Sequence, residues 1–151
     1  MNILAIDCGK KTGWALLEDG MTESGVMDFS LKRGESQGMV FVRFNAWLKK
    51  MIAHHLPEVV VYEMPHHRGG AATQVLYGMT TRIQERCDLC NIQYTAIHSA
   101  TLKKFATGKG NAKKDIMITK AREKWGDIAD SNEADALWMM EMAKEEFEGA
   151  V

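Results

Sequence analysis

Two acids in this chain stand where a run of strand-forming apolar residues stops. Ile3-Leu4-Ala5-Ile6 leads into Asp7, and Val59-Val60-Val61-Tyr62 leads into Glu63. A third, Asp135, falls in the opening turn of a helix that begins around Asn132-Glu133-Ala134. A carboxylate at such a place is costly to bury unless something binds it. Three acids from distant segments, gathered at one edge of a sheet, would make a divalent-metal site. Carboxylates are hard anionic oxygen donors suited to Mg2+ or Mn2+. Two such ions about 4 Å apart can neutralise a phosphodiester, activate water and stabilise the leaving oxygen. In that arrangement Asp7 is the central ligand, with Glu63 on the adjacent parallel strand and Asp135 entering from the closing helix. Each acid alone also reads as structural: Asp7 in a turn, Glu63 at a surface, Asp135 favoured by the helix dipole. The metal reading rests on the three together. Asn132 lies three residues before Asp135, on the same helical face, and carries an amide oxygen. Asp130 and Glu133 are the other candidates to complete the site.

The elements that must position these acids follow from periodicity. A strand is expected over about 2–8, a second over about 12–19, and a third from Gly25 to Phe29, with Asp19-Gly20 as a turn. Met39, Val40, Phe44, Trp47, Leu48, Met51 and Ile52 recur at the helical period, so Glu35 to His55 is predicted helical, and Pro57 stops it. Val59–Tyr62 is a short buried strand, and Met64 to Gly70 a loop. A helix is predicted over Ala72 to Cys90, opened by Thr73, followed by a strand on which Ile92, Tyr94 and Ala96 alternate. Thr101 is expected to cap a short turn through Phe105, and Asn111 a helix from Ala112 to Trp125. Asn132 or Ser131 is expected to cap the last helix. The order βββ-α-β-α-β-α-α implies an α/β protein with a mixed sheet and helices on both faces.

Length and composition bound the function. The 151 residues suit one domain, 1–151, with 46% hydrophobic and 26% charged residues and a formal charge of −1. Lys103 to Lys124 is nonetheless basic: Lys103, Lys104, Lys109, Lys113, Lys114, Lys120, Arg122 and Lys124 face only Asp115 and Glu123. Beside a carboxylate cluster, such a segment suits a phosphate backbone held by lysines, although most such runs are solvated helix faces. The three cysteines, Cys8, Cys87 and Cys90, are an odd, sparse set that argues for a reducing compartment. Cys87-x-x-Cys90 has no second pair and does not follow a strand, so it is not read as a metal or redox motif. No apolar run reaches spanning length, and no signal peptide is read at the start, so the expected location is the cytoplasm, with no membrane partner.

These residues resemble the RuvC-type Holliday junction resolvases of the RNase H-like, retroviral-integrase superfamily. The resemblance spans nearly the whole chain: ILAIDCGKKTGWA, VVVYEMP, HSATLKKFATGKGNAKKDIM and NEADALWM. The compact form looks like a phage or prophage version. The resemblance implies an RNase H-like fold with a five-stranded sheet, three antiparallel strands then two parallel ones. It further implies a homodimeric, Mg2+-dependent endodeoxyribonuclease, with Mn2+ substituting and two ions per site, that nicks four-way DNA junctions symmetrically in recombination and repair. By position, Asp7, Glu63 and Asp135 become metal ligands and catalytic residues. Lys103 and Lys114 become phosphate holders with Lys114 nearest the scissile group, and Lys104 and Lys113 are neighbours able to substitute. A two-fold dimer matches a two-fold junction, and the helix from Ala72 to Cys90 corresponds to much of the family's dimer interface.

The sequence departs from the family at two points. Asn132 stands where a fourth ligand, Asp or His, is usual. The loop after Glu63, which often carries a stacking aromatic, reads Met64-Pro65-His66-His67-Arg68-Gly69-Gly70. There His66 or His67 could stack on bases and Arg68 could grip phosphate. Competing readings are an RNase H-like nuclease acting on forks, flaps or RNA-containing substrates, and a junction-binding module with a decayed site, motivated by Asn132. A two-domain sugar-kinase or actin-like nucleotide fold opens with a similar strand-turn-strand, but 151 residues do not hold two such domains, so no nucleotide cofactor is expected.

Overall fold

The computed structural model describes residues 1–66 and 69–149. Five strands form one sheet: β1 (Ile3–Asp7), β2 (Lys11–Glu18), β3 (Met21–Asp28), β4 (Val59–Glu63) and β5 (Gln93–Ile97). Their order is β3-β2-β1-β4-β5, with β1–β2 and β2–β3 antiparallel and β1–β4 and β4–β5 parallel. This is the expected mixed sheet. Helices α1 (Gly38–His55) and α2 (Gly70–Leu89) cover one face. Helices α3 (Ser99–Thr107), α4 (Lys114–Trp125) and α5 (Ser131–Gly149) cover the other.

The parity of the central strands decides which way the acids point. Side chains alternate across a strand. Leu4 and Ile6 of β1, and Val60 and Tyr62 of β4, enter the core under α1 and α2. Ile3 and Ala5, and Val59 and Val61, enter the core under α5. Asp7 and Glu63 continue the second series. The parallel register pairs Ile6 with Tyr62, which sets Asp7 and Glu63 side by side at the same sheet edge. Two carboxylates therefore project toward the helix that carries the third.

Helix α5 lies directly on this sheet because β2 offers it a residue without a side chain. Gly13 pairs with Asp7 across β1 and β2. A methyl group added at Gly13 would sit 2.0 Å from the carbonyl oxygen of Asn132 and 2.6 Å from the amide of Glu133. The first turn of α5 thus rests on Gly13, next to Asp7. From there α5 is buried nearly all round: Ala134, Ala136, Leu137, Trp138, Met139 and Met140 are enclosed by the sheet on one side and α3 and α4 on the other. Indole Nε1 of Trp138 donates to the Met117 carbonyl (3.3 Å), and Lys124 pairs with the buried Glu141 (2.8 Å), tying α4 to α5.

Several expected boundaries are revised. β3 begins at Met21 rather than Gly25; its first residues are exposed, so burial left no apolar alternation to read. α1 starts at Gly38, three residues later than Glu35, because Glu35 instead binds Arg43 and the Lys32 amide within a turn. α2 starts at Gly70, before Ala72. Gly69, its N-cap, and Gly70, its first residue, have φ of 72° and 80°, a conformation that favours glycine. α3 is a nine-residue helix beginning at Ser99, not a short turn capped by Thr101. Asn111 does not cap α4: the N-cap is Lys113, in extended conformation, and the helix begins at Lys114.

Candidate active site

At the edge where β1 and β4 end, carboxylate oxygens of Asp7, Glu63 and Asp135 all lie within 4.8 Å of one another. Asp7 is 7% exposed, and Glu63 and Asp135 are half-buried. Burial, reinforced by the charges of Asp135 and Glu63, raises the Asp7 carboxyl well above its ordinary range. Burial and then Glu63 push Asp135 up to about 7, while Lys103 and Lys114 draw it down. None of the ion pairs among the described residues includes any of the three acids. The donor set is therefore three hard oxygens in mutual repulsion with no direct cationic partner, which fits a divalent ion. Burial, followed by Asp7 and Glu63, also pushes the Cys8 thiol up, so it offers no soft thiolate to compete.

A cleft of about 410 Å³ opens over the acids. Lys103 of α3 and Lys114 of α4 line it, together with His66, Asn132, Ser99 and Thr73. Lys114 is the first residue of α4 and Ser99 the first of α3, so two helix N-termini, where anions are favoured, open on this space. Lys104 and Lys113 are exposed and do not line the cleft, so the neighbouring-lysine alternatives separate from Lys103 and Lys114. His67 and Arg68 lie outside the described residues.

The three candidates for completing the acid set differ in their commitments. Asp130 Oδ1 accepts from the amides of Asn132 (2.7 Å) and Glu133 (3.3 Å), so Asp130 caps α5, rather than Ser131 or Asn132. Glu133 Oε1 accepts from Ser24 Oγ (2.8 Å) on β3. Asn132 alone of the three lines the cleft; its Nδ2 donates to the Lys11 carbonyl (3.0 Å), which leaves the amide oxygen as the atom it can offer an ion. The residue-level reading missed Gly13 as the seat of α5 and Ser99 as part of the cleft. Both had signals: a glycine inside a strand marks close backbone approach, and Ser99 follows a strand ending at the same edge as Asp7 and Glu63.

No protein-family model matches the sequence, and no curated protein sequence matches it either. Solved structures do. Thermus thermophilus RuvC superimposes with a TM-score of 0.76 at 18% identity, over 99% of this chain and 97% of that one. T. thermophilus RuvC in complex with Holliday junction substrate gives 0.76 at 17% identity, over 93% and 90%. The yeast mitochondrial Holliday junction resolvase Ydc2 gives 0.61 at 13% identity, over 91% and 75%. The architecture is thus RNase H-like. Within that class it is the fold of RuvC, in agreement with the sequence motifs.

Proposed function

We propose that this chain is a divalent-metal-dependent endonuclease that resolves four-way DNA junctions, acting as a homodimer whose two sites nick opposed strands. The observation that carries this reading is the convergence of Asp7, Glu63 and Asp135 within 4.8 Å, on a fold shared with RuvC, solved with a Holliday junction substrate, and with a yeast mitochondrial Holliday junction resolvase. Asp7, Glu63 and Asp135 would hold Mg2+, or Mn2+ in its place, with the Asn132 amide oxygen as a neutral fourth donor. Bound there, two such ions would reduce repulsion between the site and a phosphate and activate water for attack on phosphorus.

The remaining steps belong to side chains of the cleft. Lys114 meets a non-bridging phosphate oxygen, where it opposes the charge that grows as the phosphorus becomes five-coordinate. The N-terminus of α4 adds partial positive charge at the same place. Lys103, one helix away, holds the strand in register. His66, at the mouth of the cleft, is available to stack on a base displaced at the branch point. The three strand- and helix-borne acids keep fixed positions as charge moves, which is the condition for electrostatic preorganisation.

A panel of end-labelled substrates tests the reading: mobile and fixed four-way junctions, forks, flaps, linear duplex and RNA–DNA hybrid, each with Mg2+, Mn2+ or EDTA. Paired nicks in junctions, lost in EDTA, are expected. Equal or greater cleavage of forks, flaps or hybrids would move the substrate to another branched or RNA-containing class. Binding without cleavage in both metals would leave a junction-binding module.

A further inference from the structure

The cleft over the acids shares a wall with a second hollow. Ala72 and Leu76 form that wall, and the hollow measures about 310 Å³. This hollow runs between the first turns of α2 and the β1–β2 turn and ends at Lys10 and Gln37. Its walls are otherwise apolar, from Ala71, Val75 and the backbone of Gly9.

Both polar groups are uncommitted, and the backbone that carries each is braced. The turn that carries Lys10 is tied down by two bonds of 2.6 Å, from Thr12 Oγ1 to the Gly9 carbonyl and from the Phe29 amide to the Lys10 carbonyl. The Lys10 ammonium takes part in none of the ion pairs among the described residues. Gln37 occupies the N-cap of α1, yet its side chain makes no capping bond. The loop before it is braced by Glu35, which binds both Arg43 and the Lys32 amide. A cation on a braced turn and a free amide thus border an apolar hollow that shares a wall with the cleft over the carboxylates.

We infer that this hollow is a seat for the DNA strand flanking the scissile phosphate, with a phosphate on Lys10 and Gln37 and the sugar and base edges along Ala71, Val75 and Leu76. This rests on the nuclease reading and extends it. The lysines of α3 and α4 hold one side of the scissile group; Lys10 holds the other, across the acids. A phosphodiester strand alternates charged and apolar surface in the way this trough does. The wall it shares with the cleft, together with the uncommitted Lys10 charge, selects the DNA strand over a second copy of the chain as occupant.

Junction binding is measured without divalent cation for wild type, Lys10→Ala, Ala71→Phe and, as a control, Lys50→Ala, an exposed lysine about three turns along α1. Losing one phosphate contact should weaken binding by roughly tenfold and make the slope of log affinity against log salt shallower by about 1. Ala71→Phe fills the trough from an exposed position and should weaken binding as well. A series of junctions carrying a neutral methylphosphonate at successive positions beside the cleavage point locates the contact. One position should cost wild type affinity and leave Lys10→Ala unaffected, the non-additivity expected of a direct pair. The seat is overturned if Lys10→Ala and Ala71→Phe bind as wild type does. It is equally overturned if the Lys10→Ala loss is the same at every phosphonate, or if Ala71→Phe changes only the sedimentation of the protein. Those results leave the nuclease reading intact, whereas a wild-type protein that binds no branched DNA overturns both.

Discussion

Replacing Asp7 with Asn removes the most buried charge of the acid cluster while keeping its shape. In the metal-free protein this should stabilise the fold. Two like charges within 4.8 Å of each other repel by about 3 kcal/mol or more at an effective dielectric of about 20. Asp135 carries a comparable strain: it rises from an ordinary 3.8 to about 7, or about 4 kcal/mol at about 1.4 kcal/mol per tenfold in proton affinity. Because the folded carboxyls bind protons more tightly than the unfolded ones, the folded state holds extra protons from about pH 4 to above 7. Stability must then fall as pH rises through that window. At pH 8 in EDTA, Asp7→Asn should be more stable than wild type by about 2–3 kcal/mol, once the partial exposure of the partners is allowed for. That corresponds to a melting temperature higher by about 5–10 °C. Near pH 4 the difference should vanish as wild type takes up protons. Saturating Mg2+ should reverse the order: at a hundredfold excess over its dissociation constant a ligand adds about 2.7 kcal/mol, to wild type and not to the variant. The assay is thermal unfolding followed by circular dichroism at both pH values, with Mg2+ or EDTA. An Asp7→Asn protein that melts below wild type in EDTA at pH 8, or gains as much from Mg2+, would refute the metal-site reasoning. The same variant should not nick junctions.

The other perturbations probe separate parts of the site. Gly13→Ala drives a methyl into the backbone at Asn132, so α5 must shift; unfolding in denaturant should show a loss of about 1–3 kcal/mol, and Mg2+ binding by calorimetry should weaken with it. Lys114→Ala should slow single-turnover nicking more than it weakens junction binding, because its charge acts on developing charge; equal losses would reduce it to a backbone contact. Asp130→Ala removes the cap of α5 and should cost about 1 kcal/mol in urea unfolding, with Asp130→Asn recovering most of it, since Asn caps as well. Junction affinity should fall steeply with salt on a log–log plot, and a flat response would count against phosphate-dominated recognition.

The acids were legible because each ends or begins an element with a strong period. Buried β1 and β4 announce themselves as unbroken apolar runs, and parity then fixes the face on which Asp7 and Glu63 emerge. Asp135 was legible from helix polarity. What escaped is governed by contacts between elements. Edge strand β3 is exposed through its first residues, so its start carries no hydrophobic pattern. The resemblance named Lys103 and Lys114 but left Lys104 and Lys113 able to substitute; that only the first pair lines the cleft depends on the true starts of α3 and α4, which a plausible capping residue at Thr101 or Asn111 misplaced. Asp130 reads from sequence as a spare ligand; only the direction of the Asn132 and Glu133 amides makes it a cap.

The seating of α5 on Gly13 means that the three-acid cluster is complete only once segments far apart in the chain have met. Its first acid is made at residue 7 and its third at residue 135. A nascent polypeptide halted before the final helix can complete much of the sheet yet carries an open, two-acid edge. In the proposed nuclease, cutting power would in this way be withheld until the body of the fold has closed around the acids.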